Sequence, residues 1–346
     1  MRSETLTEQA ILDGTCAVIV TYGSRLVFLE QVLQAVLQCG AGHVVLVDNG
    51  TAPDVSDKIN AFTHQWGAAR TSCIRLARNG GSAGGFAAGI AAAARRRQTL
   101  HIWTLDDDTV PEPDALKALA RTWVLMGSSP LCCLASFRQD KRTYVKLVRN
   151  NKPNAIQNNS FFGFSVQSVF QKKTVAIWDK DGLPCRAMEM GAYGGLWLHR
   201  DWVDRIGLPD ERFFLYFDDY DYTLRITRQG GVLWMCQKSI LRDIEQSWTE
   251  APSFLHPWLQ YEQGAVRPYF SVRNRVFIER KSRKSRSVYT LNMVLFLLIK
   301  VLCRTWRSVL YHLVHPVKML RRWRILFVAI QDGFSGNFEN SILESK

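Results

Sequence analysis

Over the first 125 residues, short unbroken apolar runs alternate with segments whose apolar residues recur at helical spacing. Cys16 to Val20 (CAVIV), His43 to Val47 (HVVLV), Cys73 to Leu76 and Ile102 to Leu105 (IWTL) predict four buried strands. Leu26 to Gln38 places Leu26, Leu29, Leu33, Val36 and Leu37 on one helical face. Asp54 to Trp66, the Ala-rich Gly84 to Arg96 and Asp114 to Leu125 complete the helices, with Asp114 expected as the N-cap of the last. Strands without polar alternation, joined through helices, predict an α/β fold: a Rossmann-like, mainly parallel central sheet with helices on both faces. From about 130 to 265 the pattern is less regular and richer in aromatics and turn signals. Loops are expected at 151–154 (Asn-Lys-Pro-Asn) and at Asp181-Gly182.

Sheets of this kind bind ligands beyond the carboxyl ends of their strands. Those ends carry Thr21-Tyr22, Asp48-Asn49, Arg78-Asn79 and Asp106-Asp107-Asp108, which together predict a nucleotide site. Three successive carboxylates repel one another unless a cation neutralises them. An all-oxygen donor set suits Mg2+ or Mn2+ bridging a diphosphate. A second acidic cluster, Asp218-Asp219-Tyr220-Asp221, follows the run Phe213 to Phe217 and opens a helix. Apolar surroundings raise a carboxylate's pKa, which suits a general base, and one acid of the cluster can cap the helix while another works.

Other nucleotide chemistries fit less well. No G-x-G-x-x-G follows the first strand, and Gly80-Gly81-Ser82-Ala83-Gly84-Gly85 runs on to Phe86 where a P-loop needs Lys. These glycines still let backbone approach a ligand and open a helix whose N-terminus favours anions. A nucleotidyltransferase would carry a Gly-rich, basic loop after the first strand, where Thr21 to Leu26 offers only Arg25.

Charge changes the picture at the C-terminus. The formal net charge is +13, yet Arg267 to Ile330 alone holds 15 Lys/Arg against one acid, Glu279, so the remainder is about neutral. A near-neutral body with a basic end suits a negative surface met from one side. The apolar stretch Leu291 to Cys303 contains Lys300 and falls short of the roughly 20 residues a membrane span needs. With basic residues on either side it predicts amphipathic helices lying in a membrane interface. Trp306 and Trp323 could stack bases, but the long apolar run between the charges favours a membrane over nucleic acid. Eight cysteines without C-x-x-C spacing predict buried thiols in a reducing compartment. The first 14 residues hold no apolar core of a secretory signal, so a cytoplasmic location is expected.

Seven ordered motifs make the chain resemble the family 2 glycosyltransferases, inverting enzymes of the GT-A fold, in the branch with galactofuranosyl- and rhamnosyltransferases. They are VIVTY (18–22), VDNG (47–50), RNGGSAGGFAAGI (78–90), LDDD (105–108), GGLW (194–197), FFLYFDDYDYTLR (213–225) and YFSVRN (269–274). The resemblance implies a donor site of Thr21, Tyr22, Asp48, Asn49, Arg78, Asn79, Gly80, Asp106 and Asp107. It implies metal ligation by Asp106 and Asp108, an acceptor side of Gly194, Gly195, Trp197 and Asp218, and Asp219 as the catalytic base. Relatives commonly place a metal-binding His about two dozen residues after the base; that position falls here on Asp243, which is expected to substitute for it.

The implied reaction is metal-assisted transfer of galactofuranose from UDP-galactofuranose to a lipid-linked glycan in bacterial surface polysaccharide synthesis, with dTDP-rhamnose as the alternative donor. A non-catalytic membrane-associated scaffold is the rival of another class. The expected organisation is a catalytic domain over 1–266, with a nucleotide-binding half at about 14–125 and an acceptor half at about 126–266. Residues 267–346 would form basic amphipathic helices peripheral on the inner face of the cytoplasmic membrane.

Overall fold

The computed structural model describes residues 6–150, 155–167, 184–245, 254–260 and 264–339. The loops expected at 151–154 and at Asp181-Gly182 lie outside them. The chain forms two compact units, the first comprising Met1–Ala155, Val175–Phe214 and Asp218–Glu245, the second Ile156–Thr174, Leu215–Phe217 and Gln246–Lys346.

The first unit begins α1 (Glu8–Asp13), β1 (Thr15–Thr21), α2 (Leu26–Gln38), β2 (His43–Asp48), α3 (Pro53–His64), β3 (Thr71–Arg75), α4 (Gly81–Arg95), β4 (His101–Asp106), β5 (Thr109–Pro111) and α5 (Ala115–Leu125). It continues β6 (Cys132–Arg138), α6 (Arg142–Asn150), β7 (Cys185–Met188), β8 (Leu196–His199), α7 (Asp201–Ile206), α8 (Asp218–Arg228) and β9 (Val232–Asp243). The four predicted strands and four predicted helices of the first 125 residues are present within a few residues of the expected ends. Helix α2 buries Leu29, Leu33, Val36 and Leu37 of the expected stripe and adds Val32, while Leu26 in its first turn is only half-buried. Asp114 stands at the start of α5 but makes no capping bond; its carboxylate is exposed and lies 3.5 Å from Lys117.

The sheet order is β3-β2-β1-β4-β8-β6-β9-β5, with β7 also paired to β9. Strands β3, β2, β1 and β4 are mutually parallel, so their carboxyl ends share one edge. Register sets Thr21 beside Asp48 and Val20 beside Asp106. Strand β8 enters antiparallel between β4 and β6, and β6 pairs in parallel with β9. One face of the sheet packs α1, α2, α3 and α5 against residues such as Ile19, Leu46 and Trp103. The other packs α4, α7 and α8 against Val18, Val47 and Leu198.

Helix α4 starts at Gly81, three residues before the expected Gly84, and lies unusually close to the sheet. A Cβ at Gly85 would stand 2.4 Å from Val20 Cγ1, and one at Gly89 2.3 Å from Val18 Cγ1. Two glycines of the motif at 78–90 therefore serve helix-on-sheet contact.

The second unit is built mainly of helices: α9 (Val266–Arg280), α10 (Arg286–Phe296), a π turn (Leu297–Leu302), α11 (Trp306–Val314) and α12 (Pro316–Ser335), with turns over 156–167. Helix α9 is buried on nearly every side. Tyr269 donates to Asp332 of α12 at 2.7 Å, and Gly333 lets the α9 backbone approach where a Cβ would stand 2.5 Å from Arg273 O. Buried Glu279 collects Arg275 Nε at 2.6 Å, Tyr289 Oη at 2.9 Å and Phe162 N at 2.9 Å. Asn292 accepts from Val166 N and donates to Asn159 O. These buried polar bonds draw 156–167 into the helical unit, so it includes more of the chain than the C-terminal segment from 267. No single described helix is long and apolar enough to cross a membrane; α10 with its π turn, and α11, form a pair bent by 86°.

Candidate active site

Two arginines, Arg138 buried and Arg25 partly so, organise the acids at the sheet edge. Arg25, at the head of α2, donates Nε to Asp107 at 2.9 Å and Nη2 to Asp108 at 3.0 Å, and its Nη1 pairs with Glu245 at 2.6 Å. Arg138, at the end of β6, donates Nη1 to Asp106 at 3.1 Å and Nη2 to Asp243 at 2.6 Å. Lys141 Nζ takes the other Asp243 oxygen at 2.5 Å. Flanking acids raise both guanidinium pKa values against the opposing effect of burial.

Burial pushes Asp107 up to about 6 despite Arg25 and the Thr21 hydroxyl, which donates to it at 2.7 Å. Asp108 is pushed up to about 7, first by burial and then by the charges of Asp106 and Asp107. Asp106 remains half-exposed, its side chain 37% accessible. On β2, Asp48 is buried with Oδ1 accepting from Thr51 N at 2.9 Å; Oδ2 makes no hydrogen bond, and Arg75 Nε lies 3.9 Å from it. A buried carboxylate oxygen at a strand end is an acceptor held ready for a donor such as a base N–H.

The second acidic cluster opens α8. Ser82 donates Oγ to Asp218 Oδ1 at 3.0 Å, while Asp218 Oδ2 is buried without a hydrogen bond. Burial pushes Asp218 up to about 7, with Asp106 adding to the rise. Asp219 rises well above the carboxylate range through burial, then the Asp218 charge, with Asp106 contributing further. Two acids with raised pKa values beside a third, half-exposed acid form a constellation suited to taking a proton near neutral pH.

Several predicted positions have a different local setting. Asn49 spends its side chain on the chain itself, donating to Gly81 O at 2.8 Å and accepting from Gly80 N at 2.9 Å. Asn79 Oδ1 accepts from Gly81 N, while Arg78 and Tyr22 are exposed. Thr21 and Asp107 bond each other instead of standing open. The N-terminus of α4, expected to welcome a ligand anion, already receives a protein oxygen: Ala83 N donates to Phe214 O at 3.2 Å. Gly81, with φ +71°, makes room for that carbonyl, which a Cβ would approach to 1.8 Å.

Gly194 has a clear purpose, since a Cβ there would fall 2.4 Å from Arg138 Nη1 and 2.7 Å from Asp106 Oδ2. Trp197 lies in the core, opposite Trp103 in the register and stacked on the His101 ring at 3.7 Å; the antiparallel run of β8 carries it away from the acidic edge. Asp243 faces Thr109 across the sheet but has both oxygens in ion pairs, which removes it as a ready metal ligand. Arg25, Arg138, Lys141, Ser82 and Glu245 complete the cluster and were not singled out from sequence as site residues. Arg25 alone carried a signal, as the one basic residue just after the first strand.

The fold is that of the GT-A class. The crystal structure of GalNAc-T7 with UDP, GalNAc and Mn2+ aligns with a TM-score of 0.51 at 13% identity, over 69% of this chain and 45% of that one, so the chain spans less than half of it. The mannosyltransferase PcManGT from Pyrobaculum calidifontis, solved with GDP-Man and Mn2+, aligns with a TM-score of 0.51 at 12% identity, over 91% of this chain and 74% of that one. Residues 16–180 match the family described as glycosyl transferase family 2, a span that stops before Asp218. Over 286 residues the chain is 25% identical to galactofuranosyltransferase GlfT1 of Mycolicibacterium smegmatis, covering 77% of this chain and 83% of that protein. The matched family and the aligned relative are both glycosyltransferases, and the solved structures share the fold of this chain.

The Asp108 environment gives a signed pH prediction. A carboxyl raised from the ordinary range to about 7 holds its proton more tightly folded than unfolded, so its ionisation costs stability as pH rises. In chelator-containing buffer, the stability of Asp108→Asn relative to wild type, measured by urea unfolding, is expected to improve progressively between about pH 4 and 7. A difference that stays flat with pH would contradict this environment.

Proposed function

We propose that the protein is an inverting glycosyltransferase that moves galactofuranose from UDP-galactofuranose onto a hydroxyl of a lipid-linked glycan. The observation carrying this reading is the meeting of two acidic groups: Asp106 and Asp108 at the sheet edge, and Asp218-Asp219 at the head of α8, with the Asp106 charge felt by both acids of α8. The galactofuranosyltransferase relative supports the choice of donor.

Asp48, with its unbonded buried oxygen, would receive the nucleobase at the edge beside Thr21. Asp219 would take the acceptor hydroxyl proton as that oxygen attacks the anomeric carbon from the face opposite UDP, inverting the centre. Its raised pKa fits it to hold that proton near neutrality. Asp106 and Asp108 are hard oxygen donors that each keep one oxygen outside their arginine pair, so they would fit Mn2+ or Mg2+, whereas Asp243 has both oxygens in ion pairs. Among the described residues no group of three or more His, Cys, Asp or Glu side chains is placed to hold a metal ion by itself. When bound, such an ion supplies neutralisation of the departing diphosphate.

The helical unit would meet an anionic membrane surface on the cytoplasmic side. Trp306 (71% exposed), Leu313 (73%), Val317 (66%) and Leu320 (71%) present apolar surface among exposed Lys300, Arg304, Arg307, Lys318, Arg321 and Arg324. Well-placed cations contribute about 1 kcal/mol each at such a surface. An aromatic and aliphatic face edged by positive charge is the pattern of an interfacial helix.

Two measurements test these assignments. Purified protein offered UDP-galactofuranose, dTDP-rhamnose or UDP-glucose is expected to release nucleoside diphosphate from the first alone, only with Mn2+ or Mg2+ present. Asp219→Asn is expected to lower that rate by about 100-fold or more while UDP binds as before; strong residual turnover would place the base elsewhere. In vesicle sedimentation, the double variant Leu313→Glu, Leu320→Glu is expected to lose binding to phosphatidylglycerol-containing vesicles, and retained binding would move the contact off this face.

A further inference from the structure

Strand β6 ends on an arginine whose guanidinium is divided between two acids. Arg138 Nε and Nη2 donate to Asp243 Oδ1 at 3.0 and 2.6 Å, and Nη1 donates to Asp106 Oδ2 at 3.1 Å. The anchor is itself fixed: Lys141 Nζ takes Asp243 Oδ2 at 2.5 Å, and the Asp243 backbone N–H donates to Asp140 Oδ2 at 3.2 Å. A break in the register between β6 and β9 brings these groups together. Ser136 stands opposite Cys236 but Phe137 opposite Ile240, so Arg138 faces Leu241 and Asp243 follows two residues on. With the register unbroken, Arg138 would face Lys238. Irregularities of this kind re-aim side chains beside working sites. Gly194 keeps the space open, since a Cβ there would crowd both Arg138 Nη1 and Asp106 Oδ2. All of these residues belong to the first unit. Held by Oδ2, Asp106 keeps Oδ1 without a hydrogen bond from any described residue, on a side chain 37% exposed.

We propose that Arg138 is a positioning residue for a metal ligand: clamped by Asp243 and Lys141, its guanidinium holds one oxygen of Asp106 and leaves the other available to a divalent cation. The proposal rests on the reading of Asp106 and Asp108 as the cation's ligands. It gives Asp243, expected from sequence as a further ligand, a role one step behind them, as the anchor of the arginine. Carboxylates that bind metal ions are themselves held by hydrogen bonds, and loss of such a partner typically lowers metal affinity about 10–100-fold. A planar guanidinium can span two acids at once, whereas an ammonium is a single point of charge. Without the fork, Asp106 turns freely, and binding an ion must first order it.

The test follows Mn2+ binding to the full chain through the electron paramagnetic resonance signal of the free ion, at one fixed UDP concentration. Arg138→Lys keeps the charge and loses the fork, and Arg138→Met loses both. Mn2+ affinity is expected to fall about tenfold or more in each. Affinity within threefold of wild type in Arg138→Lys would reduce the residue to a buried charge and overturn the proposal. A rise in Arg138→Met would also overturn it, as the mark of an arginine that only competes with the ion. The double variant Arg138→Met, Asp243→Asn removes opposite charges together, so it avoids the unpaired acid that could unfold the single variant. It is expected to bind Mn2+ no more than about threefold below the weaker single variant at Arg138, since Asp243 acts through the arginine. A further tenfold loss would mean that Asp243 reaches the ion itself, and would overturn its role as anchor. Wild type that binds no Mn2+ beyond that held by UDP itself overturns the metal reading and the proposal with it. Wild-type binding that every variant shares overturns the proposal alone.

Discussion

A guanidinium held between two carboxylates is the contact on which the acidic edge depends. Arg138 bridges Asp106 at the end of β4 and Asp243 at the end of β9, tying together strands that are not neighbours in the sheet. Its side chain is only 8% exposed, so the pair is largely desolvated, and stripping one partner from such a pair typically costs about 3–5 kcal/mol. Gly194 exists in this arrangement to leave space for it. Arg25 does the same work for Asp107 and Asp108 from the other side. With the inner oxygens of the cluster spent on arginine, Asp106 is left half-exposed as its outward acid.

Close backbone approach is the second constraint. Gly85 and Gly89 bring α4 onto β1 and β2, Gly81 admits the Phe214 carbonyl, and Gly50 with φ +71° passes the 78–79 backbone at a distance where a Cβ would stand 2.4 Å from Asn79 N. A glycine-rich stretch after a strand is easily read as a phosphate cradle. In this chain its residues mostly bring together the strand ends, the helix and the Phe214 carbonyl.

The strands and helices of the first 125 residues were legible because each buries a continuous run or a single stripe, and periodicity encodes burial directly. The acids at 106–108 and 218–219 were legible because charge beside apolar sequence has few structural uses. Asn49 and Trp197 were not, because their partners are distant or local contacts that spacing does not reveal: a glycine-turn carbonyl for one, His101 for the other. Arg138 and Lys141 gave no signal, since pairing across β6 and β9 depends on a register formed only in three dimensions. Charge counting likewise could not separate Arg273, Arg275 and Arg322, which are buried in the helical unit, from the exposed cations of its surface.

The central claim is that the sheet-edge acids hold a nucleoside diphosphate together with a divalent cation. Calorimetric titration of UDP into the protein, with and without Mn2+, in wild type and in Asp108→Ala, tests it most directly. The account predicts binding to wild type that strengthens at least tenfold with Mn2+, and loss of that gain in the variant. UDP binding that ignores Mn2+, or a gain that survives the loss of Asp108, would contradict it.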